Sequence, residues 1–498
     1  MRPSKPRVGN TNVSPTGHVE KGQRVDDRSV PLVVDLDGTL VATDTLWETF
    51  LQILTRRPMR AITAVFWLVR GRAYLKYRLA RSAPVEVADL PYRAAVLDLI
   101  RQAKAQGRQT VLATAADQSV AQRIADHLGI FDHVIASDGK TNRKGWRKAE
   151  AIAESLGDQK FDYVGDSRAD LAVWKHARRC WTVAPTPQLK RANPRLMELG
   201  SGPSRPWATA IRAMRVHQWA KNVLLFVPLL LAHEIGDLEK LLVSLAAFLS
   251  FSLCASASYI WNDLVDLVSD RQNPEKCDRP LASGTLSINR GIVLSFVLLG
   301  VGFGLAAMVL PSLFLLMLVG YLAVTLTYSV YLKRKLMVDV LTLGFLYTFR
   351  ILAGAVASDV IVSDWLLAFS IFFFLSLAFV KRYTDLAKMP TDSSLRIAGR
   401  GYYAVDLDMV RSLGPSAGLI SVLIMALYIT SPEVAGLYSS PAWLWLICLC
   451  LLYWLARVWF LTQRGQMPLD PVVFALRDRI SIATGIVILA ALTAAAIL

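Results

Sequence analysis

The pattern of apolar and polar positions divides the chain into two regimes. In the first, short apolar segments at residues 31–34, 110–113 and 161–164 end in polar residues and alternate with helix-like stretches. Strands that alternate with helices predict an α/β domain with a parallel sheet and a site at the carboxyl ends of the strands. In the second, apolar runs of roughly 17–25 residues, the length that crosses a bilayer, recur to residue 498. We therefore predict a multi-domain chain, in which a Rossmann-like α/β domain precedes an all-α bundle of nine transmembrane helices.

Composition shifts suggest where these domains begin and end. Residues 1–28 are polar, basic and proline-containing, which predicts a disordered tail. The α/β domain is expected over residues 29–185, with a helical cap at about 45–90. A proline-rich stretch predicts a linker over 186–210, and the transmembrane domain follows over 211–498.

Basic residues orient the predicted spans. The four loops that follow the even-numbered spans hold 17 lysines and arginines, whereas the opposite loops hold one. The positive-inside rule then places the basic loops on the cytoplasmic side of the inner membrane of a multi-pass protein, together with the sites described below. Nine spans would leave the N-terminus inside and the C-terminus outside. The predicted spans are 217–233, 241–260, 291–309, 311–330, 338–357, 364–380, 412–430, 441–460 and 480–498.

Composition narrows the chemistry. The chain has 498 residues and a net charge of +16, but basic loops beside anionic lipid account for much of that charge, so no nucleic-acid partner is expected. Five cysteines without a CxxC pair and six scattered histidines indicate neither a disulfide framework nor a zinc site. The basic, aromatic cap either lies on an anionic membrane surface or packs its apolar face on its own domain.

Three aspartates follow the second predicted span. Asp263, Asp266 and Asp270 are spaced i, i+3 and i+7, so on a helix they share one face. Carboxylates this close at a membrane-embedded helix end need cations to stay ionised together, and Mg²⁺ takes oxygen ligands and bridges to phosphates. Lys276 and Arg279, which follow, are suited to holding the same phosphates. The pattern predicts a diphosphate site at the membrane.

The α/β part resembles the haloacid dehalogenase superfamily. Its four signatures appear in order as DLDGT at 35–39, a strand ending in Thr114, a lysine near residue 144 and GDSxxD at 165–170. The resemblance implies that Asp35 is a nucleophile that forms an aspartyl-phosphate and that Asp37 is the general acid and base. Thr114 would bind the phosphoryl group.

The lysine of that motif is ambiguous. Lys144 is preferred because its Lys-Gly context matches phosphoserine-phosphatase-like members, and Lys148 competes with it. A degenerate domain kept for docking or regulation is the alternative to an active phosphatase. The resemblance implies Mg²⁺ held by carboxylates of the first and last motifs, namely Asp35, Asp37, Asp166 and Asp170.

Residues from about 205 onward resemble the UbiA superfamily of intramembrane transferases. NDxxDxxxD is complete at 262–270, whereas a second DxxxD motif is not evident. Segments 215–222, 274–284, 381–386 and 470–479 are similar to the decaprenyl-phosphate phosphoribosyltransferase branch. Lys333 also fits a simple topology signal, while Arg350 lies inside an apolar span, where an isolated charge is costly. The substrate-binding candidates are Lys221, Asn222, Asn262, Lys276, Arg279, Tyr328, Lys333, Asp339, Arg350, Lys381 and Arg382.

These resemblances imply a bifunctional, Mg²⁺-dependent membrane enzyme. It would transfer 5-phosphoribose from phosphoribosyl diphosphate (PRPP) to a polyprenyl phosphate such as decaprenyl phosphate, and the phosphatase-like domain would remove the 5-phosphate. The alternative is a prenyltransferase acting on an aromatic or other acceptor, with the phosphatase-like domain serving a separate role. The expected partners are PRPP, polyprenyl phosphate and the lipid bilayer. The oligomeric state, including a homo-oligomer, is left open.

Overall fold

The computed structural model describes residues 27–56, 58–83, 85–157, 159–200, 206–389, 400–468 and 470–497. Most of the predicted tail (1–26) and residues 201–205 of the predicted linker lie outside them. The chain forms two compact units. The sheet unit comprises Met1–Leu40 and Arg93–Ser201, and the helical unit comprises Val41–Tyr92 and Gly202–Leu498.

The sheet unit contains one six-stranded sheet in the order β3-β2-β1-β4-β5-β6. Every neighbouring pair of strands is parallel, which confirms the predicted α/β fold class. The strands are β1 (Leu32–Val34), β2 (Thr110–Asp117), β3 (His133–Ser137), β4 (Asp162–Gly165), β5 (Cys180–Thr182) and β6 (Leu196–Glu198).

Twenty-one α-helices are described, in chain order, over both units. They are α1 (Thr45–Arg56), α2 (Pro58–Val69), α3 (Arg72–Ser82), α4 (Ala94–Ala105), α5 (Gln118–Leu128), α6 (Trp146–Leu156), α7 (Leu171–Trp174), α8 (Pro187–Ala192), α9 (Pro206–Met214), α10 (Val227–Leu231), α11 (Leu238–Val265), α12 (Leu267–Gln272), α13 (Ile288–Val309), α14 (Ser312–Val330), α15 (Val338–Ser358), α16 (Asp364–Leu386), α17 (Leu407–Ile429), α18 (Pro432–Leu437), α19 (Leu444–Gln463), α20 (Pro471–Ala475) and α21 (Arg479–Ile497).

3-10 helices, most of them three residues long, connect several of these elements. They are Asp27–Ser29, Val87–Asp89, Arg168–Asp170, Val216–Phe226, Leu332–Arg334, Ala404–Asp406 and Pro441–Trp443.

A buried ion-pair cluster fixes the start of β4. Asp162 is fully buried and accepts hydrogen bonds from Arg108 Nη2 at 2.5 Å and from Arg178 Nη2 at 2.8 Å. Arg108 Nε also donates to the carbonyl of Val30 at 2.8 Å. Because a buried carboxylate is stable only when it is paired, this cluster ties the chain before β1 to β4.

The elements of the structure differ from two of the predicted boundaries. Residues assigned to the linker 186–210 form α8 and β6, and β6 pairs with β5 from Cys180↔Leu196 to Thr182↔Glu198, so the sheet extends beyond residue 185. The segment predicted as the helical cap of the α/β domain groups with the helical unit by its contacts. Its Leu51 is buried among apolar residues of α11 and α12.

The helical unit contains eight helices, among the described residues, that are long and apolar enough to cross a membrane. The first of the nine predicted spans, 217–233, is instead a shorter apolar segment, Val216–Leu231. It is a 3-10 helix up to Phe226 and then α10, which has Pro228 at its start. Pro228 lies in the first turn of α10, where the missing N–H of proline is tolerated, so the segment continues without a break but is shorter than the helices of spanning length.

Candidate active sites

The sheet unit brings its motif residues to the carboxyl ends of β1, β2 and β4. Val34 pairs with Leu112 of β2 and with Val164 of β4, so Asp35, Thr114 and Asp166 all lie at or just beyond the same sheet edge. Asp35 and Thr114 are buried, and Asp37 is half-buried. The hydroxyl of Thr114 accepts a hydrogen bond from the Ala116 amide at 3.0 Å, which leaves its proton free to be donated.

Lys148, rather than Lys144, contacts the carboxylates of this edge. Lys148 Nζ lies 2.8 Å from Asp35 Oδ1 and 3.1 Å from Asp170 Oδ1, and it also donates to the hydroxyl of Tyr163 at 3.1 Å. Lys148 lies in the first turn of α6 and is buried, whereas Lys144 precedes the helix and is exposed. The preference for Lys144 is therefore corrected in favour of its competitor.

The acidic cluster of this edge has the donor set of a divalent cation site. Oxygen atoms of Asp35, Asp166 and Asp170 lie within 4.8 Å of one another. Burial, and then the charges of Asp35 and Asp170, raise the pKa of Asp166 to about 8. Burial raises the pKa of Asp35 to about 6, although Lys148 acts in the opposite direction. These three carboxylates face one lysine, so an oxygen-binding cation such as Mg²⁺ would displace the proton that the raised pKa favours and offset the remaining charge.

Gly38, in the first motif, allows the carboxylate of Asp166 to lie close to the backbone of that motif. Its φ is +77°, and a Cβ at this position would lie 2.2 Å from Asp166 Oδ2. A side chain would therefore displace the Asp166 carboxylate as well as strain the backbone.

In the helical unit, each carboxylate of the predicted trio binds a basic side chain. Arg279 Nη1 donates to Asp263 at 3.2 Å and to Asp270 at 2.6 Å, and Lys333 Nζ donates to both oxygens of Asp266 at 2.7 and 2.8 Å. The helical hydrogen-bond pattern continues from α11 into α12, because the Asp266 amide bonds Asn262 and the Asp270 amide bonds Asp266. Asp263 and Asp270 therefore share one partner, and Asp266 faces another.

The trio is less tightly gathered than the cluster of the sheet unit. Of the residues that the structure describes, no three of its carboxylates meet within 4.8 Å, because basic side chains lie against them. The cations that neutralise the trio in the structure are thus the protein's own. Three aspartates at adjoining helix ends still present the hard oxygen donors that Mg²⁺ prefers. The residues therefore fit that ion when Arg279 and Lys333 bind the phosphates of a substrate in place of the carboxylates.

Sequence reasoning missed Arg215 as a member of this site. Arg215 forms an ion pair with Asp263, and its backbone adopts a left-handed φ of 51°, which is unfavourable for a residue with a Cβ. Strain of this kind persists where the surroundings impose it and is common at functional sites. The residue stands in the segment 215–222 that resembles the phosphoribosyltransferase branch, and that was the available signal.

Three of the predicted substrate-binding residues form one buried network around Asp339. Asp339 Oδ1 accepts from the hydroxyl of Tyr328 at 2.7 Å and from Arg400 at 3.0 Å, and its Oδ2 lies 2.8 Å from Arg382 Nε. Arg382 also contacts Asp385 at 2.7 Å. Arg400 was not predicted. The network therefore has protein partners on both oxygens of Asp339.

Asn222 and Arg350 lie in the core and bind each other. Arg350 Nε donates to the side-chain oxygen of Asn222 at 2.9 Å, and its Nη2 donates to the hydroxyl of Tyr321 at 3.1 Å. Asn222 also donates to Ser252 at 2.9 Å. The costly intramembrane charge predicted at Arg350 is thus satisfied by hydrogen bonds within the protein.

The remaining candidates lie near these groups. Lys221 forms an ion pair with Asp470, the N-cap of α20, and Lys381 lies within electrostatic range of both. Asn262 and Lys276 are half-buried, the first beside Asp263 in α11 and the second within electrostatic range of Asp270.

Comparisons with known proteins match both units. A model described as "UbiA prenyltransferase family" matches residues 223–477, about half of the chain, and one described as "haloacid dehalogenase-like hydrolase" matches residues 32–175. With the eight apolar helices, the first match indicates an integral membrane protein.

Three relatives span most of their own length on this chain. Uncharacterized protein y4nM of Sinorhizobium fredii is 40% identical over 460 residues, covering 91% of this chain and 89% of the relative. Nodulation protein NoeC of Azorhizobium caulinodans is 35% identical over 55% of this chain and 88% of the relative. Decaprenyl-phosphate phosphoribosyltransferase of Mycobacterium tuberculosis is 34% identical over 43% of this chain and 72% of the relative.

Proposed function

Because the chain belongs to the UbiA prenyltransferase family and carries an N-terminal haloacid dehalogenase-like hydrolase domain, we propose that it is a bifunctional membrane enzyme. The helical unit transfers 5-phosphoribose from PRPP to a polyprenyl phosphate such as decaprenyl phosphate, and diphosphate is released. The sheet unit hydrolyses the 5-phosphate of the lipid-linked product. Both activities lie on the cytoplasmic side of the inner membrane, as the basic loops suggest.

The arrangement around the aspartate trio carries the proposal for the helical unit. Asp263, Asp266 and Asp270 form ion pairs with Arg215, Lys333 and Arg279, so acidic and basic groups lie side by side in this site. A diphosphate donor requires both kinds of group, since cations bind its phosphates and carboxylates hold the metal that accompanies it. The relative named decaprenyl-phosphate phosphoribosyltransferase supports phosphoribose as the transferred group.

The transfer replaces one carbon–oxygen bond with another. An oxygen of the lipid phosphate attacks C1 of the ribose as the bond between C1 and the diphosphate breaks, through an oxocarbenium-like centre. Mg²⁺ held by the trio would neutralise charge on the diphosphate. Arg279 and Lys333, now on carboxylates, would bind the phosphate oxygens, so the protein supplies positioning and charge neutralisation.

The sheet unit would use a covalent intermediate. An oxygen of Asp35 attacks the phosphorus of the 5-phosphate, and Asp37 protonates the departing ribose oxygen. Asp37 then removes a proton from water, which attacks the aspartyl-phosphate and releases inorganic phosphate and free Asp35. Lys148, 2.8 Å from Asp35, would neutralise the phosphoryl oxygens, and Thr114 would donate a hydrogen bond to them. Mg²⁺ at Asp35, Asp166 and Asp170 would lower the charge repulsion in this step.

The transfer is tested with the detergent-solubilised full chain, labelled PRPP and polyprenyl phosphate. A labelled lipid that forms in the wild type and not in the Asp266→Ala variant supports the proposal. Turnover of a prenyl diphosphate with no labelled lipid from PRPP would contradict it and favour prenyl transfer to another acceptor.

The phosphatase step is tested by the mass of that lipid product. The Asp35→Asn variant should accumulate the lipid that retains the 5-phosphate. The wild type and the control variant Asp126→Asn, a change at an exposed aspartate of α5, should both yield the dephosphorylated lipid. Dephosphorylated product from the Asp35→Asn variant would contradict hydrolysis by this domain. If Asp37→Ala leaves hydrolysis of simple phosphate esters unchanged, the domain is a docking or regulatory module instead.

A further inference from the structure

We infer that Glu48 is a positioning residue of the transferase site, an inference that rests on the proposed function of that site. Glu48 lies in α1, within Val41–Tyr92, the segment inserted between the first and second haloacid dehalogenase motifs, which is called the insert below. The sequence gives no reason to associate this glutamate with diphosphate binding. The structure places it against the helix that carries Asp270.

The contact is a buried, two-pronged ion pair. Glu48 Oε1 lies 2.6 Å from Arg271 Nη2, and Glu48 Oε2 lies 3.2 Å from Arg271 Nη1. The two side chains are 3% and 8% exposed, respectively. The hydroxyl of Thr43 donates to Glu48 Oε1 at 2.7 Å, so Thr43 of the insert and Arg271 of α12 together define the carboxylate's position. Paired N–H···O bonds of this type fix orientation as well as distance.

Arg271 connects the insert to both segments that hold the aspartate trio. It directly follows Asp270 in α12, and its Nε donates to the carbonyl of Ala282 at 3.1 Å. Ala282 belongs to the turn after Arg279, and Arg279 binds Asp270 at 2.6 Å. One guanidinium therefore holds α12 and the following turn at a fixed separation, and Glu48 holds that guanidinium.

Packing around the ion pair leaves little freedom for it to move. Leu51, one turn after Glu48, is buried in a cluster that includes Leu267 and Leu281. Gly284 has a φ of +72°, and a Cβ there would lie 2.4 Å from the carbonyl oxygen of Ala42. The backbone of the insert thus touches the turn after Arg279 as closely as a glycine allows.

Loss of the Glu48 carboxylate would change the positions of Asp270 and Arg279. Without the Glu48 carboxylate, the Arg271 guanidinium is a buried charge with one partner fewer, so α12 and the turn must shift to hydrate it. Asp270, its neighbour in the chain, shifts with it. Groups that hold a ligand residue in place typically change affinity or activity by about 10–100-fold when they are removed.

The test compares Glu48→Gln with Asp89→Asn in the full chain. Asp89 also lies in the insert and accepts from Gln272 of α12 at 2.9 Å, but that contact is exposed, so it is the matched control. We expect Glu48→Gln to raise the KM for PRPP about tenfold and to leave the KM for polyprenyl phosphate unchanged. Asp89→Asn should change neither value. A partly unfolded protein would lose kcat with both KM values intact.

A second variant covers the case in which Glu48→Gln fails to fold. Arg271→Lys keeps the charge but cannot contact both oxygens of Glu48 and the Ala282 carbonyl together, so the same rise in the KM for PRPP is expected. Unchanged KM values for PRPP in the folded variants would overturn the inference, whatever happens to kcat.

Binding of magnesium diphosphate separates this inference from the proposed function. Its affinity is measured by calorimetry, and the contribution of the helical unit is the heat that disappears in Asp266→Ala. An affinity about tenfold weaker in Glu48→Gln supports the positioning role even if the wild type transfers no phosphoribose. An affinity equal to that of the wild type overturns it.

Discussion

Replacing Lys148 with methionine is the most direct test of the phosphatase site. Lys148 Nζ lies 2.8 Å from Asp35 and 3.1 Å from Asp170, and the lysine side chain is 4% exposed. Breaking a buried ion pair costs about 3–5 kcal/mol because the remaining charge is left unpaired. That cost is in the free energy of unfolding. For the rate, removing one preorganised group that stabilises developing negative charge lowers kcat by about 10²- to 10³-fold, and we expect a loss of that size in the phosphoryl-transfer step.

The assay is hydrolysis of p-nitrophenyl phosphate by the solubilised full chain, with Lys144→Met as the control. Lys144 is exposed, so its replacement should leave kcat within about twofold, as expected for a surface change that costs under about 0.5 kcal/mol. A melting curve of each variant separates loss of catalysis from loss of folded protein. Full activity in Lys148→Met, together with inactivity in Lys144→Met, would refute the assignment.

Four further predictions concern both units. Gly38→Ala should abolish phosphate-ester hydrolysis and spare phosphoribosyl transfer, because its Cβ would lie 2.2 Å from Asp166 Oδ2; retained hydrolysis would contradict this geometry. Arg279→Gln should remove transfer of labelled phosphoribose and leave ester hydrolysis intact, since its guanidinium serves two of the trio's carboxylates; equal transfer rates would contradict that role. Asp162→Ala should lower the free energy of unfolding of the sheet unit by about 3–5 kcal/mol, because the buried Arg108 and the half-buried Arg178 lose their partner; an unchanged melting temperature would argue against it. Removing metal with EDTA should stop both reactions and MgCl₂ should restore them, while Mn²⁺ titration without substrate should reveal a site that is lost in Asp166→Asn and retained in Asp266→Asn.

The sheet and most of its site follow from local sequence. Each motif carboxylate directly follows an apolar strand, and the carboxyl ends of parallel strands meet at one edge. That rule was enough to bring Asp35, Thr114 and Asp166 together. The choice between Lys144 and Lys148 was different, because it depends on where α6 begins, and helix ends are the least certain feature of a sequence-based prediction.

The missed features involve contacts between distant parts of the chain. The proline-rich sequence before Leu196–Glu198 predicts a linker, whereas the pairing that makes these residues β6 depends on the free edge of β5, which is distant from the local pattern. Glu48 and Arg271 are 223 residues apart. Nothing in the pattern around either residue indicates the other, since a charged residue in an amphipathic helix normally faces solvent.

The membrane half shows where hydropathy is sufficient and where it is not. Eight of the nine predicted spans correspond to helices of spanning length in the part of the chain that the structure describes, because lipid permits only long apolar helices or closed barrels. Segment 217–233 has the composition of a span, yet its helix, Val216–Leu231, is shorter than the others and is 3-10 over most of its length, which hydropathy alone does not register. Arg350, a predicted substrate-binding residue, donates hydrogen bonds to Asn222 and Tyr321, and hydropathy indicates neither partner.

The two acidic sites differ in how their charge is balanced, and that difference bears on how each would take up metal. In the sheet unit, Asp35 and Asp170 share one lysine, and the pKa of Asp166 is raised to about 8 by burial and by those neighbours. Three carboxylates there face one lysine even without substrate, so a divalent cation gains by binding at once in place of a proton. In the helical unit, three basic side chains already oppose the three carboxylates. Mg²⁺ alone would add positive charge to a balanced site, whereas diphosphate brings the negative charge that lets Arg279 and Lys333 leave the carboxylates. Metal should therefore enter the transferase site together with the diphosphate donor.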